Sequence, residues 1–480
     1  MQIQEQIIAE IAKEVVARLR VQLQQPASAA PATNGAAPRD GVFSTVDEAV
    51  NAAYEAQKKV EAMSLEERGR MIDIIRRICM ERREELGRME MEETKVGRLD
   101  HKILKLTNMR FVLGVEALRS EALSDRSGLC VIERAPWGVI GMMLPVTHSV
   151  PTMASNAINI LAAGNTAVFG PHPSGAKVAR YALQLFNREI ERECGVANVL
   201  TTMQEASIEA SGQIFHHPKI ALICVTGGAA VAKAAAKSGK RVIAGGPGNP
   251  PVVVDETADL DRAARCIIEG AAFDNNLLCI GEKEIFVVDS VADAFIAAMR
   301  RAGAFQLDSP AIERLTRAAF TFDGSGGGCA KAHVVKKFVG KDVAVLAEAA
   351  GVHAPAGTDL LFGETDENHT FVVEEQMMPF IPVVRVRDVD AGIAAAVRAE
   401  HDYRHTAIMH SQDVENVTRM ARAMNTTLFI QNAASTASLG MGAPGYFSHT
   451  IATPTGEGIT TPLTFTRERR ITIGNALRIV

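Results

Sequence analysis

The sequence predicts an α/β protein of two doubly wound parallel sheets, comparable in size and separated by a cleft. Two observations carry this expectation. From about Gly138 to Ala244, short β-rich runs alternate with helical ones, and a second series of the same kind starts at Pro251. Such alternation marks parallel strands joined by helical crossovers. The length of 480 residues, too great for a single core, also requires more than one packed unit.

Residues 1–20 place Ile7, Ile8, Ile11, Val15 and Leu19 within about 120° of arc on a helix. Glu5, Glu10 and Glu14 speak against a secretory signal or a transit peptide. The Ala/Pro-rich stretch over 21–41 reads as a flexible linker. The helix is therefore either a tethered docking peptide or an arm packing on the protein's own oligomer. Thr45-Val-Asp-Glu48 and Ser64-Leu-Glu-Glu67 are capping boxes, each opening a helix. The first alternating series predicts strands at 138–144, 166–170, 198–203, 220–226 and 241–245, with helices at 156–164, 177–190 and 229–239. The second predicts strands at 250–255, 284–288, 380–386, 405–411 and 427–432, with helices ending near Ile267 and over 292–303.

Composition narrows the function. A net charge of −5 argues against a nucleic-acid surface, which needs a basic stripe. No apolar run approaches the roughly 18 residues of a membrane span. The seven cysteines (79, 130, 194, 224, 266, 279 and 329) are scattered, with no CxxC pair and an odd total. They read as reduced cytoplasmic thiols, mostly buried, and no metal site is expected.

Cys279, in FDNNLLCIGEKEIFVV, differs from the others. It follows a polar Asp-Asn-Asn turn just before a predicted strand, in a loop facing the first domain. That is where a nucleophilic thiol finds access and amide donors for an oxyanion. The surrounding blocks resemble the aldehyde dehydrogenase superfamily, and within it the CoA-acylating propionaldehyde dehydrogenases of bacterial microcompartments. They are ETKVGR (93–98), APWGVIGMMLPVTHSVPT (135–152), AAGNTAVFGPHPSGAK (162–177), CVTGGAAVAKAA (224–235), AGGPGNPPVVVD (244–255), FDNNLLCIGEKE (273–284), EEQMMPFIPV (374–383), RHTAIMHS (404–411) and TGEGITTPLTFTRERR (455–470).

The resemblance implies an aldehyde dehydrogenase-like fold with a Rossmann-variant coenzyme domain, a catalytic domain and a β oligomerisation arm. It divides the chain into an encapsulation-type helix (1–20), the linker (21–41), a coenzyme-binding domain (42–250) with an oligomerisation hairpin near 121–137, a catalytic domain (251–440), and a tunnel-lining and oligomerisation segment (441–480). Cys279 is the implied nucleophile. The implied coenzyme contacts are Pro145, Val146, Gly170, Pro171, His172, Pro173, Thr226, Gly227, Gly228, Val231, Gly245, Gly246 and Glu375. Glu375 would hold the nicotinamide ribose, and the Gly170–Pro173 turn would take the adenine of NAD and later of CoA. Phe465 either packs on a short alkyl chain or belongs to the core.

Three departures from the hydrolytic pattern bear on the chemistry. Gly170 stands where those relatives carry a ribose-binding lysine. Ala244 stands where they carry the glutamate that activates water. His148 stands where many relatives place an oxyanion-binding asparagine; it either donates an N–H in that role or caps the following helix. The implied reaction is ping-pong: Cys279 attacks a short-chain aldehyde, propionaldehyde ahead of acetaldehyde. NAD⁺ is reduced, and the thioester passes to CoA. The implied setting is cytoplasmic, inside a microcompartment, with a shell protein bound by residues 1–20 and a homo-oligomer built as a dimer of dimers. The alternatives are a hydrolytic dehydrogenase releasing a carboxylate and a non-catalytic cargo adaptor.

Overall fold

The computed structural model describes residues 40–322 and 332–477. The expected N-terminal helix and most of the linker, together with Cys329, lie outside the described residues.

The first sheet is parallel throughout, in the order Val42–Phe43, Leu200–Met203, Thr166–Pro171, Val139–Leu144, Ile220–Val225, Arg241–Ala244. Every residue of Val139–Leu144 and Thr166–Pro171 is buried, as expected of central strands covered on both faces. The five predicted strands are all present, and the two-residue strand Val42–Phe43 extends the sheet to six. Both capping boxes form, at Thr45/Glu48 and Ser64/Glu67, and open the helices Val46–Ala62 and Leu65–Glu81.

One helix starts earlier than the sequence suggests. The run expected over 156–164 is part of Ser149–Ala162, whose residues are all buried. Pro151 is tolerated in its first turn, where the missing N–H costs nothing because that donor has no intrahelical partner. The Glu90 carboxylate accepts from the free Val150 N–H at 3.1 Å and stabilises this helix start.

The second sheet is also parallel, in the order Phe305–Gln306, Leu361–Glu364, Phe380–Val386, Glu284–Val288, Pro251–Val254, Thr406–His410, Leu428–Gln431. A third, antiparallel sheet joins Glu121–Asp125, Gly128–Pro136 and Thr466–Gly474, so the hairpin and the C-terminal strand expected as arms pair with each other. After the second sheet the chain returns to the first domain. Asn156 and Asn159 on the buried helix donate to Thr450 Oγ1 at 2.8 Å and the Thr460 carbonyl at 3.2 Å. One apolar cluster runs through both halves, from Ile140 to Val252, Phe295 and Phe465. The two sheets therefore share one continuous core.

Candidate active site

Three consecutive residues, Asp274, Asn275 and Asn276, have φ of 51°, 56° and 63°. Left-handed backbone disfavours residues bearing Cβ, and Asp and Asn tolerate it best because their side chains bond nearby backbone. Each side chain here is tied down. Asn276 Nδ2 donates to the carbonyls of Ala271 at 2.8 Å and Glu282 at 2.9 Å. Asn275 Nδ2 donates to Asp342 Oδ1 at 2.8 Å and the Gly340 carbonyl at 3.1 Å. Asp274 reaches into the first domain, where Arg98 N–H donates to it at 2.8 Å. Gly97 explains part of the ETKVGR block: at φ +84°, a Cβ there would lie 2.3 Å from Asp274 Oδ1.

Behind this turn sits a buried set of charges. Lys105 is ion-paired with Asp274, and Lys102 with Glu90 at 3.1 Å; all four side chains are almost wholly buried. Burial pushes the Lys105 ammonium down, and Asp274 opposes this. The Asp274 carboxyl is held below its usual range: burial raises it, but Lys105 and Lys102 outweigh that. Lys105 Nζ also lies 2.9 Å from His148 Nδ1. An ammonium can only donate there, which leaves the proton of a neutral His148 ring on Nε2. Burial and the two lysines hold His148 uncharged, and its ring faces the Leu277 carbonyl, two residues before Cys279. His148 is the residue before the helix Ser149–Ala162 but makes no side-chain cap bond. Of the two expectations for it, capping is excluded.

Cys279 is half-buried and packs against the main apolar cluster. Burial, with the Glu375 carboxylate second, pushes its thiol up to about 12, while Lys283 and the amide N–H groups of Cys279 and Ile280 act the other way. Lys283 is fully buried and donates to the Asn276 carbonyl at 3.0 Å and the Leu278 carbonyl at 3.3 Å, bracing the loop from behind. Glu282, fully buried, accepts from Ser435 N and Oγ, both at 2.8 Å. Burial pushes it up to about 7. Gly248 runs so close beneath the nucleophile that a Cβ would lie 2.3 Å from the Cys279 carbonyl oxygen and 3.1 Å from His405 Cγ. Glu375 faces the Gly248 amide and Lys283, with its carboxyl raised by burial.

The other expected coenzyme residues gather along the C-terminal ends of four adjacent strands, where open parallel sheets place ligands. Pro145 and Val146 follow Val139–Leu144. Gly170 and Pro171 end Thr166–Pro171, with His172 and Pro173 in the exposed turn beyond. Gly170 has a packing reason of its own: a Cβ there would lie 2.7 Å from the Met143 side chain. Thr226 follows Ile220–Val225 and shares a 2.5 Å hydroxyl contact with Thr450. Gly227 and Gly228 lead into the helix Ala229–Ala236, and a Cβ on either would meet nothing within 4 Å. That open backbone fits a dinucleotide lying close to the chain. Val231, 37% exposed, lies one turn further on. Gly245 and Gly246 follow Arg241–Ala244, with Gly245 N–H donating to the Val225 carbonyl at 2.8 Å. Among the described residues no group of His, Cys, Asp and Glu is placed to hold a metal ion, and no helix is long and apolar enough to cross a membrane.

A cavity of about 600 Å³ opens beside the nucleophile turn, lined by Asn108, Phe111, Phe273, Thr436 and Met441 among others. Phe465 is fully buried in the large apolar cluster against which Cys279 packs. Nothing in the sequence singles out Lys105, Lys283, His405 or His449, and Asp274 is marked there only as part of the polar turn before Cys279. Asp274 and Lys283 flank Cys279 in one loop, whereas Lys105, His405 and His449 come from other segments that only folding brings close.

The sequence matches the aldehyde dehydrogenase family over residues 25–446. The acetylating acetaldehyde dehydrogenase EutE of Salmonella typhimurium is 43% identical over 443 residues, which cover 92% of this chain and 94% of that protein. Among solved structures, Rhodopseudomonas palustris propionaldehyde dehydrogenase with bound propionyl-CoA superposes with a TM-score of 0.89 at 39% identity, covering 94% of this chain and 100% of that one. A propionaldehyde dehydrogenase from the Clostridium phytofermentans fucose utilisation bacterial microcompartment gives 0.88 at 38% identity, covering 92% and 100%.

Proposed function

The chain belongs to the aldehyde dehydrogenase family, and from that premise we propose that it is a CoA-acylating member, oxidising a short-chain aldehyde, propionaldehyde first, to its acyl-CoA through a thioester on Cys279. The observation that carries the reading is a half-buried thiol whose sulfur faces the amide N–H groups of Cys279 and Ile280, combined with Ala244 at the strand end where a hydrolytic enzyme needs a carboxylate. When bound, NAD⁺ supplies the hydride acceptor and CoA the thiol that takes the acyl group.

The chain's own residues do the rest. Cys279 forms the C–S bond to the aldehyde carbon, and its amide N–H turns to the charge that develops on oxygen. His148, neutral and protonated on Nε2, is oriented by Lys105 to assist as a donor. The left-handed turn and Lys283 hold the sulfur in one place while the ligands above it exchange. Gly227 and Gly228 leave the backbone open to the coenzyme, and Glu375 is placed to accept from its ribose. Ala244 offers nothing to activate water, so the thioester waits for a thiol. Residues 1–20 serve as the peptide that docks the enzyme onto a shell protein within a cytoplasmic microcompartment, and the subunits assemble as a dimer of dimers.

NADH formation across C2 to C6 aldehydes, with and without CoA, tests the reading. CoA-dependent turnover strongest at C3, and abolished in Cys279→Ala, is the expected result; turnover indifferent to CoA refutes it.

A further inference from the structure

The turn Gly170–Pro173 has cations around it that no carboxylate neutralises. The register pairs Phe169 with Thr202, which carries Gln204 to the level of Pro171. Arg180, half-buried, donates to the Gln204 carbonyl at 2.7 Å. That bond anchors the guanidinium beside the turn and leaves its other donors free among the described residues. Lys177 is exposed and lies three positions earlier in the helix Ala176–Cys194, on the same face. Lys336, exposed on the second half of the chain, is close enough to His172 to help burial keep that ring uncharged. His172 Nδ1 accepts from Ser174 N–H at 3.1 Å, so the neutral ring carries its proton on Nε2 as a further donor. Arg180, Lys177 and Lys336 form no ion pair among the described residues, not even with exposed Glu205 beside Gln204. Ile208, 85% exposed, and Val231 stand at the starts of the helices Ile208–His216 and Ala229–Ala236, which pack on one apolar cluster. Two bare apolar side chains so placed suit the faces of an adenine ring. NAD⁺ and CoA share an adenosine diphosphate, and both must bring their reactive ends to one sulfur. They differ on the ribose, where CoA carries a phosphomonoester and NAD⁺ a hydroxyl. The hydroxyl needs no cation, whereas a phosphate bearing about two negative charges does.

We propose that Arg180, supported by Lys177 and Lys336, binds the ribose phosphate of CoA and makes that phosphate the mark by which the acyl-enzyme selects its thiol. The proposal rests on reading the protein as a CoA-acylating enzyme. The measurement is the preference for CoA over dephospho-CoA, which lacks only that phosphate, in the full-length protein. It is read as a ratio of Kd values by calorimetry and of kcat/KM values with propanal and NAD⁺. In Arg180→Gln the preference should fall at least about tenfold, the scale of one charge-assisted hydrogen bond, while dephospho-CoA itself changes less than about threefold. Arg180→Lys, which keeps the charge, should retain part of the preference. In the wild type, raising KCl from about 20 mM to about 500 mM should shrink the preference, because exposed charges are screened. A preference unchanged in Arg180→Gln overturns the proposal, and so does an equal loss for both thiols, as a merely structural role would give. A wild type that treats the two thiols alike overturns it too. If Arg180→Gln instead alters only the discrimination between NADP⁺ and NAD⁺, the cations serve the ribose phosphate of that coenzyme and the proposal fails. CoA-dependent turnover absent from the wild type with every aldehyde overturns the underlying reading, and this proposal with it.

Discussion

A thiolate is costly to form where water cannot stabilise it, and Cys279 sits where burial and the Glu375 carboxylate both oppose it. Far below a pKa of about 12, the thiolate fraction rises tenfold with each pH unit. Alkylation of Cys279 by iodoacetamide in the coenzyme-free enzyme, followed by mass spectrometry of its peptide, should therefore accelerate about tenfold per unit from about pH 7 to about pH 10. A plateau near pH 9 would mean an ordinary thiol. Ala244 makes the second prediction at this scale. General-base help is worth roughly 10²–10⁴-fold in deacylation, and alanine gives none. Rapid mixing with aldehyde and NAD⁺ but no CoA should produce an NADH burst near one per competent site, then a near-stalled phase that CoA releases. Ala244→Glu should quicken the slow phase if the longer side chain finds room. Steady turnover without CoA, as fast as with it, would point to hydrolysis.

The turn Asp274–Asn276 and its supports behave as one unit, spanning both domains through Asp274, Arg98 and Lys105. Asp274→Asn would leave two buried ammoniums, Lys102 and Lys105, with only Glu90 between them. Removing one partner of a buried pair costs about 3–5 kcal/mol. The variant should show a clearly lower urea midpoint, together with a fall in kcat larger than any change in coenzyme affinity; a wild-type midpoint would mean the pair contributes nothing. Much at this scale was legible in advance. The long β-rich runs, the capping boxes and the polar turn before Cys279 announce themselves locally. Short edge strands such as Val42–Phe43 and Phe305–Gln306 carry too few residues for a period to show. The helix through Pro151 was hidden because a proline early in a helix looks like a break. The lysine–aspartate–histidine set was invisible for another reason: its members are unremarkable singly, and their meaning comes from sharing one dry space.

Across the whole molecule, the described residues form a complete pair of sheets without residues 1–39, so the N-terminal segment is expected to be separable from catalysis. Deleting residues 1–20 should leave CoA-dependent activity unchanged while abolishing co-sedimentation with microcompartment shells. Loss of activity would place that helix within the enzyme itself. The far end of the chain behaves differently. Thr466–Gly474 is hydrogen-bonded along its length to Gly128–Pro136, and Arg467 donates to the Pro136 carbonyl, 331 residues away. On a ribosome, which feeds residues out in order, the earlier strand emerges long before its partner has been translated. One of its edges stays open through most of synthesis, the condition in which nascent strands invite mispairing with neighbours on a polysome. That sheet can close only once Thr466–Gly474 has emerged, so pairing of this arm is among the late events of folding during synthesis.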